Sequence, residues 1–79
     1  MLDTLVIMII KRETTFAKRL KQLRHERKLS QRDLAEELQM HHGVIAKWEL
    51  GKSMPNIEAV ILFADYFEVT VGYMAGKEE

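Results

Sequence analysis

The sequence has no cysteine, a single proline, four glycines and few aromatic residues, 8% of its 79 positions. Without cysteine there is neither a disulfide framework nor a thiolate metal site, which agrees with a reducing compartment. Long apolar stretches are also lacking. The longest, Leu5 to Ile10, falls far short of the roughly 20 residues that a membrane helix requires. It does not make a signal peptide either, because Asp3 precedes it, no basic residue does, and Lys11-Arg12-Glu13 follows in place of a small-residue cleavage site. A soluble, cytoplasmic chain with no membrane partner is expected. Its length allows one domain with much of its surface exposed, so a deep catalytic cavity is not expected and a small binding module is.

A surplus of either charge is missing as well, with 12 Lys or Arg against 12 Asp or Glu. The total conceals an uneven distribution. Residues 1–55 hold eleven basic against seven acidic side chains, whereas residues 56–79 hold Lys77 alone against Glu58, Asp65, Glu68, Glu78 and Glu79. The molecule is expected to be a dipole. On charge alone, an ordinary solvated surface explains this as well as a polyanion site does.

What is present is helical periodicity. Phe16, Leu20, Leu23 and Arg27 recur at helical spacing over residues 16–28, with Thr14 or Thr15 as N-cap. Ser30 followed three residues later by Asp33 is a capping-box signature that opens a second helix, residues 31–38, with Leu34, Ala35 and Leu38 inward. Gln39-Met40-His41 makes a turn. A third helix, residues 42–49, is expected to bury Val44 in part and Ile45 and Trp48 fully, and Gly51 ends it. After a loop carrying Pro55, Asn56 caps a fourth helix, residues 57–67, with Ile57, Val60, Ile61, Ala64 and Phe67 inward. Thr70 caps a last turn that Gly76 stops. The fold class is thus all-α, five helices in one bundle.

Two short helices joined by a three-residue turn must cross steeply, and Ala35 is the small residue that lets them close. With Ile45 and Trp48 filling the angle, the third helix turns His42, Gly43, Ala46, Lys47 and Leu50 outward. At this point "LSQRDLAEELQMHHGVIAKWELGKSMPN" resembles the helix-turn-helix of the Cro and phage-repressor type, the XRE family, and "FAKRLKQLRHERK" and "IEAVILFADYFEVTVGYMAG" are similar to that family's first and last helices. The resemblance covers residues 15–76. It implies a lambda-repressor-like bundle that binds double-stranded DNA, with the third helix in the major groove, as a homodimer on a pseudo-palindrome. The expected function is a sequence-specific transcriptional regulator, a repressor of bacterial or phage type acting by promoter occupation, with no effector domain beside it.

Carried over by resemblance, His42, Gly43 and Lys47 read bases, while Gln31, His41, Lys52, Ser53 and Asn56 meet the DNA backbone. Arg24 and Glu49 match a structural pair tying helix one to helix three. Lys47 can donate to guanine, and His42 can donate or accept at a base edge. Gly43 has no side chain to offer and costs about 1 kcal/mol of helix stability against alanine; close approach to DNA or tolerance in a first turn are the two explanations. The sequence departs from the family at Gln39, where a glycine is usual and a left-handed backbone is required, and at Leu50, which replaces a phosphate-contacting residue.

Other constellations carry less. Adjacent His41 and His42 are expected to diverge, so no metal site is expected. The run Lys18, Arg19, Lys21 reads as a solvated face, and Met40, Met54 and Met74 as loop and core fillers. No nucleophile, phosphate loop or paired-carboxylate pocket can be assembled, so neither an enzyme nor a cofactor or small-molecule ligand is expected. The alternative function is a protein-interaction module, antitoxin-like or adaptor, with weak or no DNA binding, or a pure dimerisation unit.

Residues 1–13 stand apart from the domain at 14–76 and the tail at 77–79. Both alternating sets in Leu5, Val6, Ile7, Met8, Ile9 and Ile10 are apolar. Two readings stand: a β-strand that pairs with the same segment of a second copy near helix four, or a disordered tail or early start codon, since Met8 can itself initiate. Leu62 and Tyr66, apolar on the side of helix four that should be polar, join that expected dimer interface.

Overall fold

The computed structural model describes residues 4–77, with side chains from Thr15 onward. Five helices follow one another among the described residues: α1 Thr4–Glu26, α2 Gln31–Glu37, α3 His42–Glu49, α4 Ile57–Phe67 and α5 Val71–Met74. No strand occurs among the described residues. Each of α2 to α5 starts where a side chain can accept from an otherwise orphaned amide. Ser30 accepts from the Asp33 N–H while the Asp33 carboxylate accepts from the Ser30 N–H, completing the capping box. Asn56 accepts from Ala59 and Thr70 from Tyr73.

The strand expected over residues 5–10 is corrected. This backbone continues α1 as helix, so Thr14 and Thr15 lie within the helix and not at its start. A lone strand leaves its amides and carbonyls unpaired, whereas extending an existing helix adds one bond per residue with the nucleation cost already met. The side chains of Leu5 to Ile10, named for the dimer interface, lie outside the described residues.

The core is one cluster: Phe16, Leu20 and Leu23 from α1, Leu34 and Ala35 from α2, Ile45 from α3, Ala59, Val60, Phe63, Ala64 and Phe67 from α4, and Met74 from α5. Phe16, Trp48 and Phe63 meet edge to face, with centroids 5.5 to 6.4 Å apart. Trp48 is half-buried, not fully buried as expected. On α4 the inward stripe is also different from the expected one. Phe63 is fully enclosed, and Ile57 and Ile61 stand 62% and 43% exposed. Large aromatic and small alanine positions, Ala59-Phe63-Phe67 beside Val60-Ala64, fill the space under α1 better than two isoleucines, so they set the rotation of the helix. Arg27 lies outside the core, with its guanidinium over the Tyr66 and Phe67 rings at 5.1 and 5.2 Å.

All five helices end in the same way. A residue with positive φ closes each one: Lys28, Gln39, Gly51, Glu68 and Gly76. Its N–H bonds three residues back, and the next N–H bonds five residues back, as in Lys28 to His25 and Leu29 to Arg24. This is the Schellman pattern. Where the left-handed residue is not glycine, the residue after it is Leu29, Met40 or Val69, each packed on the core. Where it is glycine, the next residue is an exposed lysine, Lys52 or Lys77. An apolar anchor thus accompanies each strained corner, and the Gln39 corner expected from the sequence is one of these. Gly76 is also needed for space, since a Cβ there would sit 2.7 Å from Thr15 Cγ2.

Candidate nucleic-acid interface

Helix α3 is positioned by a polar network beneath its C-terminal end. Arg24 donates from Nε to Glu49 Oε2 at 2.7 Å and from Nη2 to Oε1 at 2.9 Å, and from Nη1 to the Leu29 carbonyl at 2.7 Å. Gln31 Nε2 donates to the same Glu49 Oε1 at 3.1 Å. One carboxylate therefore joins α1, α2 and α3. Burial alone pushes the Glu49 carboxyl up, but the hydrogen bonds from Arg24 and Gln31, with the charges of Arg24 and Lys21, outweigh it and hold the group below the usual carboxylate range. The hydrogen bond to Glu49 raises Arg24, against an opposing effect of burial. The Asp33 carboxyl is lowered by the hydrogen bonds it accepts from Ser30, the backbone N–H first and the side chain second, against an opposing effect of burial.

Above this network Ile45 is fully buried, and the opposite side of α3 faces out: His42 and Lys47 are exposed, Gly43 and Ala46 half-buried, and Leu50 is 68% exposed. Lys52, Ser53 and Asn56 are exposed in the loop and helix start that follow. The Asn56 Oδ1 is used in capping α4, which leaves the amide NH2 as its outward donor. Gln31 is half-buried, and the hydrogen bond to Glu49 uses one of its two N–H groups and leaves the other. Lys18 and Lys21 line a shallow groove of about 280 Å³ with Glu49 and Leu50, so two cations flank the end of α3. Arg19 is occupied elsewhere, donating to the Tyr73 carbonyl with its guanidinium 4.1 Å over the Tyr73 ring.

The histidines are where the sequence reading fails. His41 is the N-cap of α3, and its Nδ1 accepts from the Gly43 N–H at 3.2 Å. Its ring and that of His42 stack, centroids 4.9 Å apart and 15° from parallel. The expectation that they diverge treats both as helical; His41 has extended backbone, φ −70° and ψ 131°, and this turns its ring over the first turn. Among the described residues no group of His, Cys, Asp or Glu is arranged to hold a metal ion, and no helix is long and apolar enough to cross a membrane.

A first helix packed against two short helices that contact one another, the second of them with one face locked inward and a narrow outward face flanked by cations, defines a helix-turn-helix domain. Such a domain lays its second helix into the major groove of DNA. Comparison with known proteins agrees: residues 20–74 match the family described as "Helix-turn-helix". The chain belongs to that family, in its Cro and phage-repressor branch. It is 39% identical over 64 residues to the HTH-type transcriptional activator BcrR of Enterococcus faecalis, a match covering 81% of this chain and 31% of the relative. The chain thus spans under a third of the length of that relative. No solved structure matches.

Proposed function

We propose that the chain is a sequence-specific regulator of transcription that binds duplex DNA as a homodimer, with α3 in the major groove and half-sites about one helical turn apart. The observation that carries this reading is the division of α3, an eight-residue helix with Ile45 at 0% exposure and with His42 and Lys47 open to solvent on the other side. In this reading Lys47 and His42 meet base edges, with Gly43 between them at the groove floor. Gln31, His41, Lys52, Ser53 and Asn56 hold the phosphates on either side. The Arg24–Glu49 pair acts indirectly, by aiming the Gln31 amide.

Selection of bound sites from a random duplex pool tests this directly; a palindromic consensus supports both function and symmetry. Lys47→Ala is expected to flatten preference at one or two base pairs, each good contact being worth roughly 1 to 3 kcal/mol, while Gln31→Ala weakens all sequences alike. Equal loss on operator and random DNA for Lys47→Ala removes the base-reading role. Binding through several phosphates must also weaken steeply as salt rises. A protein-interaction module is the second reading, favoured by the exposure of Leu50, Ile57 and Ile61, and affinity for a protein partner that ignores salt would support it.

Promoter occupation makes the chain a repressor. Contact upstream of a promoter makes an activator, the word in the name of the enterococcal relative. A reporter fused to the selected operator reads the sign. For the dimer, the exposed Leu62 of α4 and the apolar run at residues 5–10 supply surface for a second copy. Tyr66 is half-buried beneath Arg27 and offers less. Sedimentation of a chain beginning at Ile9 checks this: a dimer as tight as that of the full chain excludes the N-terminal segment.

A further inference from the structure

Base reading by His42 and Lys47 does not explain why a histidine precedes them or why a glycine lies between them. Three observations meet at that place. The Gly43 N–H donates to His41 Nδ1, so this nitrogen is an acceptor and the neutral ring carries its proton on Nε2. The same edge of the ring borders Gly43, where a Cβ would stand 3.2 Å from Nδ1, a few tenths of an ångström tighter than ordinary contact, and 3.4 Å from Cε1. The other face of the arrangement is the stacked His42 ring, 4.9 Å away. Neither explanation offered by the sequence for Gly43 involves this: a side chain there would press on the edge of the imidazole.

We infer that His41 is a positioning residue for DNA reading. By capping α3 through Nδ1 it fixes its own ring in the Nε2–H form and makes that ring a plate against which His42 is held at one angle to the groove. Glycine at position 43 leaves that plate undisturbed, since a Cβ there would push on its edge by a few tenths of an ångström. The inference rests on α3 being the reading helix. It differs from a simple cap, which asparagine performs as well as any residue, because a cap needs only an acceptor and the plate needs the ring.

Two measurements test it. In the free protein, long-range proton–nitrogen NMR of the imidazoles is expected to show His41 as the Nε2–H tautomer; an Nδ1–H ring overturns the geometry without reference to DNA. His41→Asn then keeps the acceptor and removes the ring. Binding is titrated against the selected operator, against random duplex, and against operators changed at the base pair whose preference His42→Ala abolishes. The expected result is an unchanged melting temperature, an equal loss on operator and random duplex from the phosphate contact that the ring gives up, and, beyond that shared loss, discrimination at that base pair reduced about five- to tenfold, a fraction of a full base contact. Gly43→Ala, which sets a methyl against the ring while favouring the helix, is expected to show the same selective loss. Full discrimination in His41→Asn reduces His41 to a cap and overturns the inference, while operator preference of the wild-type chain in the same titration keeps the DNA-binding reading standing. A wild-type chain without such preference removes both.

Discussion

Helices α3 and α4 touch the same aromatic cluster but are held by different physics. The orientation of α3 comes from directed polar contacts, with Glu49 at its end fixed by Arg24 and Gln31 and His41 at its start closing on Gly43. The rotation of α4 comes from shape, Phe63 and Phe67 against alanines, and its outer side exposes Ile57, Ile61 and Leu62 beside Glu58 and Asp65. A helix that must present two or three side chains at fixed angles is tied by hydrogen bonds at both ends. A helix that must supply stability is tied by volume.

This contrast can be broken at its strongest point first. Phe63→Ala removes a fully enclosed ring and is expected to cost about 3 to 5 kcal/mol, read by chemical denaturation, with little change in sequence preference in whatever fraction stays folded. Glu49→Ala leaves the Arg24 guanidinium buried without its partner. A loss of about 2 to 3 kcal/mol is expected, between the values for a surface pair and an enclosed one, together with weaker DNA binding because the Gln31 amide is released. If binding falls only in proportion to the unfolded fraction, the network has no part in aiming Gln31.

The pH dependence sharpens the same contrast. Because the Glu49 carboxyl lies lower in the folded chain than its ordinary value near about 4.3, it contributes stability above that value. The contribution is lost as pH falls through the lower, folded value. Denaturation midpoints followed downward from neutral pH should therefore drop less in Glu49→Gln than in wild type, from a lower starting point; parallel curves would show that another group governs acid unfolding. The smallest effect belongs to the outer side of α4: Ile61→Gln is expected to change monomer stability by no more than about 0.5 kcal/mol. If it also shifts the sedimentation coefficient, that side meets a second copy.

The two helices also differ in how far the sequence revealed them. Residues 42–49 and 57–67 were placed as helices from caps and periodicity, and both stand, because Asn56, Gly51 and the 3.6-residue spacing are local signals. The face of α3 is legible as well, since Ile45 and Trp48, three residues apart, mark one side of the helix. The face of α4 did not follow. With Ile57, Ile61, Leu62 and Phe63 all apolar, the choice among overlapping stripes rests on which volumes fit under α1, and volume fit is not local. The N-terminal turns of α1 escaped for a related reason: six successive apolar residues carry no period, and the decisive fact, a helix already formed behind them, lies downstream. The stacked histidines were hidden by one dihedral angle, since an N-cap and a first helical residue read alike as letters.

The left-handed corners at Lys28, Gln39 and Glu68 leave room for improvement at positions that are not themselves on the outward face of α3. Glycine adopts that backbone without the Cβ conflict that a longer residue tolerates, and Leu29, Met40 and Val69 would keep their anchoring contacts. A chain carrying all three glycines should melt higher while its operator preference stays the same, giving a sturdier scaffold on which the groove-facing residues could be exchanged one at a time.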